Sequence, residues 1–211
     1  MTLAPPTPRA DQLPAPLQLP WDLRLTPEQF ERVCQANPEA VLELAADGQL
    51  IPMTPTGGDT GSRNQALGAL LWLAVRQCGL PLKLFDSSTC FRLPDGSVLS
   101  PDASLVRLER WQALTPEQRR SFPPLCPDLV VELASPSDEG PRGVSALRRK
   151  MELYRRNGAQ LGWLLLPAER AVEVWHGKHS DPPERLQPAQ VLDAGALFPG
   201  LQIDLAEVWQ G

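Results

Sequence analysis

The chain has 211 residues, 42% of them hydrophobic and 21% charged, with a formal net charge of −5. That length supports a real hydrophobic core, and no apolar run approaches the roughly 20 residues of a membrane span. The acidic balance excludes a globally basic nucleic-acid binder, although an enzyme with an acidic metal site needs only a locally basic groove.

Residues 1–20 hold six prolines, which bar both helix and central strand, and read as an extended or disordered arm. From Trp21 to Gly211 the chain reads as one domain. Thr26-Pro27-Glu28-Gln29 starts a helix to about Asn37, with a Thr cap, Pro at the first position and Gln three after the cap. Val41–Leu44 and Gln49–Met53 flank Asp47-Gly48, a hairpin signal. Gly57 to Gly61 reads as a loop. Asn64 to Cys78 is an apolar-rich helix stopped by Gly79.

Leu82–Phe85 and Cys90–Leu93 are expected as a strand pair, followed by the turn Pro94-Asp95-Gly96, then Val98-Leu99 and Ala103–Leu108. Thr115-Pro116-Glu117-Gln118 opens a short helix by the same capping logic. Leu129–Leu133 is a near-continuous apolar strand, and Ser145–Asn157 a helix closed by Gly158. Trp163–Leu166 and Ala171–Trp175 form a hairpin, and Leu205–Trp209 ends the chain as a short helix. The class is α/β or α+β, a mixed central sheet flanked by helices.

The start of the chain lacks a secretion signal's basic start and apolar core, so the expected location is cytoplasmic. Cys34, Cys78, Cys90 and Cys126 form no CxxC pair, which argues against zinc and for reduced, mostly buried thiols. His176 and His179 are the two histidines and read as part of a polar turn after a strand, leaving little for a serine triad or an HExxH protease.

Acids inside apolar strands carry the chemistry. Glu132 lies in Asp128-Leu129-Val130-Val131-Glu132-Leu133, on the face of Val130 and Ala134, where a carboxylate is costly unless paired, protonated or bound to a metal. Asp102 leads into an apolar strand with no turn after it, whereas Asp95 belongs to a turn and Asp128 reads as a solvated strand start. Lys150 shares a helix face with Leu147, Met151 and Tyr154, apart from its basic neighbours, so Glu132 is a candidate partner. Glu43 interrupts its own apolar strand. Carboxylates in this number can hold Mg²⁺ or Mn²⁺ through oxygen. Such a metal lowers the pKa of bound water, and a nearby lysine stabilises charge on phosphorus.

Asp102 after Pro101, Glu132 in a following strand and a nearby Lys150 resemble the PD-(D/E)XK nuclease superfamily. More narrowly the chain resembles the Uma family of restriction endonucleases. The resemblance runs through Leu42-Glu43-Leu44, Thr60-Gly61-Ser62-Arg63-Asn64, Leu99 to Ser104, Pro127 to Asp138, Lys150 to Tyr154 and Gly162 to Pro167. It implies a restriction-endonuclease-like core over residues 21–211, with Asp102 and Glu132 as metal ligands, Lys150 as catalytic lysine and Glu43 as accessory acid. Ala134 stands where the superfamily lysine normally does, and the resemblance moves that lysine to Lys150 on the next helix.

The implied activity is metal-dependent hydrolysis of DNA phosphodiesters. The competing reading is a catalytically inactive nuclease-fold module for nucleic-acid binding or assembly, in which the acids and lysine form a structural ion pair. A glycosidase ranks below both, because no aromatic-rich loop offers a sugar platform. Arg63, Asn64, Arg142 and Arg149 are expected to contact nucleic acid, with Arg148, Arg155 and Arg156 as further groove candidates. A homodimer is expected and a membrane is not.

Overall fold

The computed structural model describes residues 20, 22–38, 40–53, 55–138, 141–177 and 182–210, with Ser137, Pro141 and Arg142 described by backbone alone. The expected arm lies outside the described residues except for Pro20, as does His179.

Helix α1 (Pro27–Ala36) starts as its sequence dictates: Thr26 caps it, and Gln29 returns a bond to the Thr26 backbone. Its buried Phe30 packs over a four-stranded sheet of order β2-β1-β5-β4, formed by β1 (Leu42–Leu44), β2 (Leu50–Pro52), β4 (Phe91–Arg92) and β5 (Val98–Leu99). Gly48, at φ 83°, makes the β1–β2 turn, and a Cβ there would lie 2.7 Å from the Leu25 carbonyl oxygen. Only glycine satisfies both demands.

The larger sheet has six strands in the order β10-β9-β8-β7-β6-β3. These are β3 (Leu82–Asp86), β6 (Ala103–Arg107), β7 (Leu129–Leu133), β8 (Leu161–Leu166), β9 (Ala171–His176) and β10 (Glu184–Leu186). All neighbours run antiparallel except β7 and β8. A parallel pair needs a crossover, and helix α5 (Pro141–Arg156) supplies it, lying over one face of the sheet. The other face is covered by α2 (Gly58–Cys78), α6 (Ala206–Gln210) and the hairpin of β11 (Val191–Asp193) and β12 (Gln202–Asp204). Alternation along β7 and β8 divides the side chains: Val131, Leu133, Trp163 and Leu165 face α2, while Val130, Glu132 and Leu164 face α5. Gly162 lets α5 approach, since a Cβ there would sit 2.4 Å from the Met151 methyl.

Several expectations are corrected. Residues 58–61 are not a loop: α2 begins at Gly58, with Gly57 as N-cap and Asp59 in the first turn, where an acid complements the helix dipole. β3 and β4 do not pair with one another, because β3 joins β6 in the large sheet while β4 joins β5 in the small one. The β6 strand stops at Arg107, and Leu108 opens a short helix, α3 (Leu108–Gln112), followed by α4 (Pro116–Arg120). Helix α5 starts four residues before Ser145. Asp128 is not a solvated strand start but fully buried. Arg107 N–H (2.8 Å), Arg110 (2.8 Å) and Gln160 (3.1 Å) all donate to its carboxylate. The four cysteines are free thiols, but only Cys126 is fully buried. Among the described residues no helix is long and apolar enough to cross a membrane.

Candidate functional site

The two sheets meet at the Ser100-Pro101-Asp102 segment that joins β5 to β6, and four polar side chains converge there from four elements. Glu43 comes from β1, Asp102 from the start of β6, Glu132 from β7 and Lys150 from α5. The register Ala103↔Val131 sets Asp102 across from Glu132 at the end of the β6–β7 ladder. Lys150 reaches Glu132 because the crossover helix lies on the face to which Glu132 points.

Lys150 Nζ stands 2.9 Å from Glu132 Oε1, 2.9 Å from Glu43 Oε1 and 3.0 Å from the Ser100 carbonyl oxygen, with its side chain 15% exposed. Glu43 Oε1 also accepts from Ser100 N–H at 2.8 Å, so it ties the small sheet to the junction. Asp102 Oδ2 accepts from Leu133 N–H at 2.7 Å, and Asp102 Oδ1 accepts from Asn64 Nδ2 at 3.3 Å. Tyr154 hydroxyl donates to Glu132 Oε1 at 3.1 Å.

Burial sets the electrostatics. Loss of water pushes the Glu132 carboxyl up to about 8, against the pull of Lys150 and with further upward pressure from Asp102 and Glu43. Burial likewise raises Asp102, partly offset by the Leu133 N–H, Lys150 and Asn64. Burial alone would lower Lys150, but the Glu132 and Glu43 carboxylates outweigh it and hold the ammonium above its ordinary range. Burial and the two glutamates also raise Tyr154, keeping it a neutral donor. Two buried glutamates thus share one ammonium, and the half-buried Asp102 stands across the strand, so acidic groups outnumber the base three to one.

The site's composition fits a hard divalent cation in donor type, because carboxyl oxygens predominate among its polar atoms. Among the described residues no three carboxylate, thiol or imidazole side chains stand close enough to share one ion.

Of the residues expected to meet nucleic acid, Asn64 touches the acid cluster and Arg63 lines an adjoining cleft. Arg149 is exposed on α5, and the Arg142 side chain lies outside the described residues. Arg148 is committed to the buried Glu173, at 3.0 Å from Nε, while Arg155 and Arg156 pair with Glu152. Sequence reasoning missed three groups. Tyr154 shares the Lys150 helix face, and its i+4 spacing points both side chains at the Glu132 carboxyl, a partner that periodicity alone does not name. Glu173 and Asp128 gave no sequence signal, because Arg148, Arg185, Arg107, Arg110 and Gln160 reach them from other elements.

A family model for Uma2, described as a putative restriction endonuclease, matches residues 27–206. Among solved structures, a putative nuclease belonging to DUF820 from Anabaena variabilis has the same fold, with a TM-score of 0.67 and 18% identity. The alignment covers 88% of this chain and 98% of that one. No curated protein matches.

Proposed function

The chain belongs to the Uma2 family of putative restriction endonucleases, and on that premise we propose that Asp102, Glu132, Lys150 and Glu43 form the centre of a metal-dependent endonuclease acting on DNA. The observation that carries this reading is the imbalance of acids over bases: the buried Glu43 and Glu132 share the ammonium of Lys150, and the half-buried Asp102 stands across the strand from Glu132 with Asn64 and the Leu133 N–H as its partners. Elsewhere under the same sheet face, a buried acid is outnumbered by its bases. Glu173 lies between Arg148 and Arg185, and Asp128 between Arg107 and Arg110.

Asp102 and Glu132 would hold a Mg²⁺ or Mn²⁺ ion, which supplies charge to the phosphoryl oxygens and acidity to a bound water. Asp102 is oriented for this by the Leu133 N–H, and Glu132 by the Tyr154 hydroxyl. Lys150, protonated throughout, donates a hydrogen bond from Nζ to the attacking water or to a non-bridging oxygen as charge builds there. Glu43 and the Ser100 carbonyl fix the direction of that ammonium. In the overall reaction water adds to phosphorus, the bond to one sugar oxygen breaks, and the proton from water ends on that leaving oxygen.

A specific observation favours the alternative, an inactive nuclease-fold module: Lys150 already has three acceptors. Calorimetric titration of Mn²⁺ decides between them. The expected result is binding by the wild type, lost in Asp102→Asn/Glu132→Gln, with nicking of supercoiled plasmid that also requires Lys150. Loss of Mn²⁺ binding in Lys150→Ala but not in Asp102→Asn would contradict these roles. No binding by the folded wild type would leave the acids and lysine as an ion-pair network.

A further inference from the structure

A cleft of about 300 Å³ opens beside the acid cluster, between α2, the loop after β7 and the turn after β8. Ala134, Pro136, Val144, Leu166 and Pro167 give it an apolar lining. Asp138 and Glu169 add carboxylates, and Arg63 adds a cation. The cleft adjoins the proposed centre on two sides. Ala134 is two residues beyond Glu132, and Arg63 immediately precedes Asn64, which holds Asp102.

Arg63 is half-buried, and its Nε, shielded from water, has no hydrogen-bond partner among the described residues. Buried polar atoms are nearly always satisfied, so the orphaned Arg63 N–H at this cleft points to an absent ligand. Asp138 Oδ2 accepts from the Ser135 N–H and hydroxyl, and Glu169 pairs with Arg185, so both carboxylates are held within the protein.

The chemistry required of an occupant is threefold. It must bring an anion for Arg63, a flat apolar body for the lining, and N–H donors that tolerate the carboxylates. Inorganic phosphate meets only the first demand. A nucleotide meets all three, and the volume lies at the small end of ligand pockets, too small for a duplex segment.

We propose that this cleft is a single-nucleotide subsite, taking one unstacked nucleotide of the substrate strand with its phosphate toward Arg63 and its base against the apolar lining. This rests on the reading of the neighbouring acids as a centre that acts on nucleic acid. Unstacking is least costly in a single strand or at a mismatch, so such substrates bind ahead of perfect duplex.

The test is metal-free calorimetry on the full chain in EDTA, using the four deoxynucleoside 5′-monophosphates, inorganic phosphate and an unphosphorylated deoxynucleoside. At least one nucleotide is expected to bind about tenfold tighter than phosphate or nucleoside alone. Arg63→Gln weakens it by about tenfold, the loss of a charge-assisted hydrogen bond, and Arg63→Lys restores part of that. Ala168→Trp, at an exposed position lining the cleft, fills it and abolishes nucleotide binding without touching the core. Absence of nucleotide binding, or binding indifferent to both Arg63→Gln and Ala168→Trp, overturns the proposal. Because no metal is present and the readout is nucleotide affinity rather than cleavage, failure of the subsite and failure of the catalytic reading are separate results.

Discussion

Two buried acids on one sheet face meet cations from one helix, at positions 148 and 150, and their surroundings differ in sign. Glu173 sits between Arg148 and Arg185. Glu132 shares Lys150 with Glu43 and has Asp102 across the strand. In the first cluster the guanidiniums are one-third or more exposed, so the bases are partly solvated and the acid is saturated. In the second Glu43, Glu132 and Lys150 are largely shielded from water, and the acids outnumber the base. A buried ion pair is weak evidence for stabilisation, because desolvation can cancel the attraction. An unbalanced one is harder still to explain by stability, which is why the second cluster carries the functional reading and the first does not.

The comparison can be broken by substitution. Lys150→Met strips the only ammonium from two buried glutamates and is expected to cost about 4 kcal/mol in urea unfolding. Adding Glu132→Gln should return a sizeable part of that loss, and a double-mutant cycle without coupling would show that the two do not act as a pair. Glu173→Ala comes next, at about 2 kcal/mol, because its arginines can turn toward water. Glu132→Gln alone should be the mildest change among the acids, within about 1 kcal/mol near neutral pH without metal, since burial already favours the proton.

Protonation sharpens the same contrast. The folded Glu132 carboxyl titrates at about 8, above its ordinary 4.5, so between those values the folded state keeps a proton that the unfolded chain has lost. Its contribution is therefore complete below pH 4.5, declines as pH rises toward 8 and levels off above. Unfolding free energies from urea titrations in EDTA should fall across that window, by an amount on the order of a few kcal/mol, and the slope should flatten in Glu132→Gln. A wild-type profile rising from pH 5 to 8 with the variant parallel to it would sink this assignment. Gly162→Ala should cost about 1–3 kcal/mol, because the new methyl would lie 2.4 Å from the buried Met151 methyl with Trp175 and Val130 alongside, and Met151 has little room to move.

Local chemistry made much of the fold legible. Both Thr-Pro-Glu-Gln segments form capped helices, α1 and a short helix at Pro116–Arg120, with the reciprocal bonds in place. Glu132 and Lys150 were visible because each breaks an apolar pattern that periodicity had established. Glu43 was visible for the same reason, but its approach to Lys150 depends on how the two sheets meet, which no local pattern encodes. The strands β10, β11 and β12 are three residues each and too short for a period to register. The start of α2 was hidden by Gly57, Gly58 and Gly61, poor helix formers that tertiary packing overrules. Asp128 and Glu173 escaped notice because their burial is made acceptable by arginines distant in sequence.

The bond from Leu133 N–H to Asp102 Oδ2 lets a side chain stand where a strand carbonyl would otherwise accept. Asp102 is thereby a structural member of the β6–β7 ladder as well as a member of the acid cluster, while Glu132 and Lys150 belong to the cluster alone. If the cluster lost its role, positions 132 and 150 would be free to change together, trading their charges for a matched apolar pair. Position 102 would be slower to follow, because losing its acceptor opens the end of the sheet. Decay of this site would leave a vestige, and the vestige would be the acid that the backbone itself holds in place.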